Sequence, residues 1–127
     1  MGPEWAGLVA VARQKVPADY RILLAHKCDY QGRNFVHVTL KNDRSLVSLI
    51  VSRKNAAETF STEKLAPAAQ ESGVAIYQAG VRHYEVTGFE SRDHLAFVVS
   101  DLGSEKNLQL TASLAPAVRD FLARLEG

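Results

Sequence analysis

Three residues with the donor atoms of a transition-metal site fall near one another in the chain: His26, Cys28 and His37. Imidazole nitrogen and thiolate sulfur are the side-chain groups that zinc and copper take most readily. Whether the three meet depends on strand register. Tyr20 to Cys28 alternates as a strand, which puts Tyr20, Ile22, Leu24, His26 and Cys28 on one face. Gln31-Gly32-Arg33 reads as a turn, and Asn34 to Lys41 as a second strand with Val36, Val38 and Leu40 inward. Directly opposed residues of an antiparallel hairpin share a face. A three-residue turn aligns Cys28 with Val36 and keeps the two apolar sets together; His37 then lies on the other face with Phe35, Thr39 and Lys41. A two-residue turn aligns His26 with His37 but splits the apolar sets. The first register is the expected one. It makes Cys28 a small core residue and His26 a half-buried, hydrogen-bonded one. No bound metal is expected, and His26, Cys28 and His37 stand as the candidates for any metal or redox role.

Other chemistry is sparse. The chain has no nucleophile elbow, Walker loop, dinucleotide fingerprint or HExxH pair. No pair of carboxylates is spaced for acid/base work. The expectation is a protein that is not an enzyme and carries no cofactor. His83 is expected to face outward with Glu85 and Thr87, and His94 to be a surface histidine. Tyr77, Tyr84 and Phe89 read as packing residues and Trp5 as the anchor of an N-terminal helix. Arg33, Lys41, Arg82 and Arg92 are cations that an anionic ligand would use.

The elements that must position these groups form one domain spanning 1–127. Its 127 residues are 46% hydrophobic and 23% charged, values that support one globular core. Fifteen Lys and Arg against 14 Asp and Glu give a net charge of +1, which excludes the basic stripe of a nucleic-acid-binding surface. One cysteine excludes an intrachain disulfide and any zinc site needing two. No apolar run approaches the ~18 residues that read as a membrane span.

Trp5, Leu8, Val9 and Ala12 predict an amphipathic helix stopped near Pro17. Three strands follow, the third from Ser45 to Ser52, with an Asn42-Asp43-Arg44 turn before it. Residues 53–72 break the pattern; short helical turns over Asn55–Phe60 and Thr62–Gln70 flank an exposed Ser61–Lys64 connection. Val74–Gln78, Arg82–Phe89 and His94–Ser100 read as three more strands, with turns at Ala79-Gly80 and Ser91-Arg92-Asp93. A last helix is predicted from Ser113, as its N-cap, to Leu125, with Pro116 in its first turn. The fold class is therefore α+β: an antiparallel sheet of about six strands in two three-stranded meanders, with an N-terminal and a C-terminal helix packed on it. The meanders resemble each other over roughly 22–52 and 74–100. An offset of 48 pairs Val38 with Val86, Thr39 with Thr87, Arg44 with Arg92, Ile50 with Val98, Val51 with Val99 and Ser52 with Ser100. An internal duplication would explain that.

The run Cys28-Asp-Tyr-Gln-Gly-Arg-Asn-Phe-Val-His37, then Val-Thr-Leu and Val-Ser-Leu-Ile-Val, resembles the soluble C-terminal region of bacterial transmembrane anti-sigma factors. Tyr84-Glu-Val-Thr-Gly-Phe89 and Leu95-Ala-Phe-Val-Val-Ser-Asp-Leu102 resemble the second half of that region, so the similarity spans about residues 22–102. The residues matching the family-like motif are Cys28, Gly32, Arg33 and His37. The resemblance implies a non-catalytic sensory domain on the extracytoplasmic (periplasmic) side of a membrane-anchored regulator of transcription. The sigma factor would be a partner only through an N-terminal zinc-binding region, and the membrane only through a helix, neither of which lies in this chain. The domain's own partner would be a ligand or protein of unknown identity. The alternatives are a stand-alone cytoplasmic interaction module, possible as a homodimer through an open sheet edge, and a small metal- or redox-responsive protein using Cys28 and His26.

Overall fold

The computed structural model describes residues 2–55, 58–60 and 65–127. A 3₁₀ turn (Pro3–Trp5) leads into α1 (Ala6–Lys15). Seven strands follow: β1 (Arg21–Tyr30), β2 (Arg33–Lys41), β3 (Leu46–Arg53), β4 (Ala66–Glu71), β5 (Val74–Val81), β6 (Tyr84–Glu90) and β7 (His94–Ser100). The chain ends in α2 (Ser104–Glu126). All neighbours are antiparallel, in the order β1-β2-β3-β7-β6-β5-β4. The α+β class, the two meanders and the two terminal helices are as the sequence predicts, with a seventh strand added.

That strand, β4, corrects the helical turn expected over Thr62–Gln70. The small residues of Ala66–Gln70 bury no helical stripe; they pair with β5 and cap the sheet's edge, where Pro67 is tolerated. The Ser61–Lys64 connection lies outside the described residues, as do Ala56 and Ala57 of the other expected turn; Glu58–Phe60 form no helix. Ala79-Gly80 is not a turn. β5 runs on to Val81, and the hairpin reverses at Arg82-His83, with Arg82 at φ 57°.

One face of the sheet is covered by both helices and holds the core. Val36, Val38, Leu40, Val47, Leu49, Val51, Ile76, Phe89, Ala96 and Val98 meet Leu8 and Ala12 of α1 and Leu110, Leu114, Val118 and Leu122 of α2. α2 is 23 residues long, ten more than the predicted Ser113–Leu125 helix, and Pro116 is interior. The apolar stripe continues on both sides of the proline, so burial outweighs the single lost N–H. Ser113 is no N-cap; its hydroxyl donates to the Lys15 carbonyl at 2.9 Å and ties α2 to the end of α1. The buried stripe also carries Asn107 and Thr111, which bond with Ser100 and Thr87 of the sheet. Thr87 thus points inward, where an outward position beside His83 was expected; Gln78 lies opposite it in β5 and Val98 in β7.

Register also bears on the repeat. Val38 lies opposite Leu49 just as Thr87 lies opposite Val98, which relates the two ladders by 49 residues. The 48-residue offset of the matching residues pairs inward Val38 with outward Val86.

Candidate functional site

The β1–β2 hairpin closes with a two-residue turn. Gln31 and Gly32 both have positive φ, 53° and 75°, and Tyr30 lies opposite Arg33. Such a turn matches the strand twist, and glycine adopts it at no steric cost. The three-residue turn, and the register with it, are thereby corrected: Cys28 lies opposite Phe35, and His26 opposite His37. The split of apolar sets that argued against this register is repaired by a bulge between Ile22 and Leu24. Ile22 faces the helices before it; Ala25 and Lys27 do so after it, opposite Val38 and Val36. Leu24, 48% exposed, and Leu23, 56% exposed, are left near solvent. His26, Cys28 and His37 therefore share the face that the helices leave open.

On that face the two imidazole rings are 5.4 Å apart, centre to centre, and tilted by 32°. His37 Nε2 lies 3.2 Å from the Thr39 hydroxyl, which is itself 3.5 Å from the Ser48 hydroxyl. Burial, and secondarily the charge of His26, hold His37 below the usual histidine range. Cys28 is a half-buried free thiol. Among the described residues no three His, Cys, Asp or Glu side chains converge. Arg33, of the family-like motif, is on the same face; its guanidinium forks onto Glu58, donates to Ser52 Oγ at 2.6 Å and reaches the Arg53 carbonyl at 3.0 Å. That pairing raises Arg33 and lowers Glu58, and it commits Arg33 to anchoring the connection after β3. Within that connection, Phe60 covers part of the far half of the open face. Phe60 stacks against Tyr77 and Phe97 and sits over Gly88, where a Cβ would come within 2.5 Å of its ring. Lys54 and Thr59 bind Glu90 at 2.8 and 2.7 Å.

His94 is not a surface residue. Its side chain is 6% exposed and Nδ1 meets Glu126 Oε2 at 2.6 Å, beside the Trp5 ring at 5.8 Å. Burial would raise Glu126, but hydrogen bonds from His94, Ser91 and the Asp93 amide hold it below the usual carboxylate range. This pair clamps the end of α2 to the β6–β7 turn. Arg92 adds to the clamp by donating to the Glu126 carbonyl at 2.9 Å while pairing with Asp93. His83 is exposed in the β5–β6 turn, as expected.

One concavity among the described residues has no counterpart in the sequence reading. A cleft of about 820 Å³ lies between the end of α1, the start of β1, the β2–β3 turn and the first half of α2. Lys15, Arg44 and Lys106 line it with Asp19, Tyr20, Asn42, Gln109 and Ser113. None of the three cations makes an ion pair with a described residue. Asp19 accepts from the Asn42 amide at 3.1 Å, and Asn42 Oδ1 in turn holds the Arg44 and Ser45 amides at 2.9 and 2.7 Å. This Asx turn is what the Asn42-Asp43-Arg44 sequence predicts, and it presents Arg44 at the rim. Burial raises the Tyr20 phenol, helped by the charges of Asp19 and Asp101 and opposed by Ser45. The lining has no His, Cys or Glu. No sequence signal points to this cleft, because its cations come from three separate stretches of chain.

No protein-family model matches the chain, and no curated protein does. Among solved structures the chain is similar to a GTP-binding regulator from Thermotoga maritima, at 12% identity and a TM-score of 0.53, over 89% of this chain and 88% of that one. At that identity the likeness concerns the fold: a helix-covered antiparallel sheet.

Proposed function

We propose that this chain is a non-catalytic sensory or binding module that takes an anionic ligand in the cleft between α1, α2 and the β2–β3 turn. The observation that carries the reading is the cleft itself. Its volume lies in the range of small-molecule sites, and three cations without described ion-pair partners face one carboxylate. Its lining offers no histidine or thiol to act as nucleophile or general base. The motif Cys28, Gly32, Arg33, His37 supports placing the module in a membrane-anchored anti-sigma factor, outside the membrane, where ligand capture would report an envelope signal. The similarity to a GTP-binding regulator makes a nucleotide one anion to try.

Amide NMR with added inorganic phosphate, citrate and GTP tests the reading. The expected result is saturable shifts at Lys15, Arg44, Ser45, Lys106 and Gln109, lost in an Arg44→Glu, Lys106→Glu double variant. Shifts absent for all three anions, or confined to other surfaces, would overturn it.

A second reading, a cytoplasmic protein-interaction module or homodimer, is favoured by the open half-face, where Leu24 is exposed and Phe35 and Ile50 are half-buried. Sedimentation across a hundredfold range of concentration decides the homodimer form: a strict monomer removes it.

A further inference from the structure

The open face carries a close pair of metal-ligating side chains that the cleft does not use. His26 and His37 face each other across the β1–β2 ladder, 5.4 Å between ring centres. A zinc–imidazole bond is about 2.0–2.1 Å, so an ion held through nitrogen sits roughly 3.2 Å from the ring centre. Two rings on one ion at a tetrahedral angle are then about 5.2 Å apart. The observed spacing is within a few tenths of an ångström of that value, so the backbone register presets the separation that two ligands of one ion require.

The second partner of His37 fits as well. His37 Nε2 lies 3.2 Å from Thr39 Oγ1, a contact that orients the ring; in the tautomer that carries its proton on Nε2, the lone pair is on Nδ1. Metal-binding histidines are held in this way by a hydrogen bond to their other nitrogen. Both rings project from paired strands rather than loops, and His37 is flanked on its other side by Ile50 of β3.

We infer that His26 and His37 form a two-imidazole site for a late first-row divalent ion, Cu²⁺ ahead of Ni²⁺ and Zn²⁺, with water in the remaining positions. The preference follows the general order of affinity for nitrogen ligands. No third described ligand converges there, so the ion is held by the pair, and Cys28 is not required. The site lies on the opposite face of the sheet from the helices, and its occupancy is independent of the anion cleft.

The test is titration of the full chain with CuSO₄ and, separately, ZnCl₂ at neutral pH, read by calorimetry and by Cu²⁺ electron paramagnetic resonance. One equivalent should bind, with a two-nitrogen coordination signature. Loss of a partner that merely orients a ligand costs about tenfold or more in affinity; His26→Gln and His37→Gln should each cost at least that. Cys28→Ser and His83→Gln should bind as the unaltered chain does. Ring-proton NMR of the unaltered chain with Zn²⁺ supplies a readout free of any folding defect: the His26 and His37 signals should move, and those of His83 and His94 should not. No binding, or binding that survives His26→Gln or His37→Gln, or Zn²⁺ shifts at His83 or His94 alone, would overturn the assignment.

Discussion

Replacing Glu126 by alanine tests the clamp at the end of α2. The Glu126 side chain is 3% exposed and that of His94 6%. Its Oε2 accepts from His94 Nδ1 at 2.6 Å, from the Asp93 amide at 3.0 Å and from the Ser91 hydroxyl. Alanine leaves three donors without their acceptor. A buried donor stripped of its partner costs about 1–3 kcal/mol. Three donors lose the same acceptor oxygen, and at about 1 kcal/mol each the loss is about 3 kcal/mol. For a chain of this length that is a fall in Tm of about 10 °C. Glu126→Gln keeps the shape and one acceptor oxygen and should cost about 1 kcal/mol. Urea unfolding followed by circular dichroism, at neutral pH, gives both values. A loss under about 0.5 kcal/mol for Glu126→Ala, the size of an ordinary surface change, would show that the last turn of α2 frays and that the His94 pair does not hold it.

Acid should destabilise the fold in a defined window. Glu126, Glu58 and Glu90 are all held below the ordinary carboxylate value of 4.5, by hydrogen bonds from His94 and Ser91, from Arg33, and from Lys54 and Thr59. A carboxylate lowered by folding contributes stability that is present above its unfolded value and lost as pH falls through the folded one; urea midpoints should therefore drop as pH falls below about 4.5, and Glu126→Gln should flatten that drop. Pro116→Ala restores an N–H inside α2 and should raise stability by roughly 1–3 kcal/mol, measured as a shift in urea midpoint at constant slope. Thr87→Val removes the hydroxyl that bonds Thr111, Asn107 and the Val98 carbonyl; it should cost about 1–3 kcal/mol and speed amide exchange in the first half of α2. Gly32→Ala has open space for its methyl but a φ of 75°, so it should cost about 1 kcal/mol by equilibrium unfolding.

Much of the framework is legible in the sequence because it is local. Period-two alternation marks the strands from Tyr20 to Ser52 and from Val74 to Ser100, and Asn42-Asp43-Arg44 declares its own turn. The seventh strand is not legible: Ala66-Pro-Ala-Ala-Gln has neither the β-branched residues nor the alternation of a strand, and it pairs only because β5 offers an open edge. The length of α2 is hidden for the opposite reason. Asn107 and Thr111 interrupt its apolar stripe, and only the sheet's Ser100 and Thr87 make their burial favourable.

The candidate sites divide in the same way. The residue types of the metal pair, His26 and His37, stand out in the sequence, yet alternation alone places them on opposite faces. A single bulge at Ile22–Leu24 reverses the parity of β1, and a bulge is a compromise between turn geometry and core packing that only the folded sheet expresses. The cleft has no sequence signature, since Lys15, Asp19, Arg44 and Lys106 converge only when α1, the β2–β3 turn and α2 are packed together. His94 reads as a surface histidine until α2, running to Glu126, brings a carboxylate over it. The sequence by itself determines the class of fold, the balance of charge and the inventory of chemical groups, because propensity and periodicity are properties of neighbours along the chain. The partners of those groups are decided by tertiary structure, because register, bulges and helix length are settled by which surfaces must be buried together.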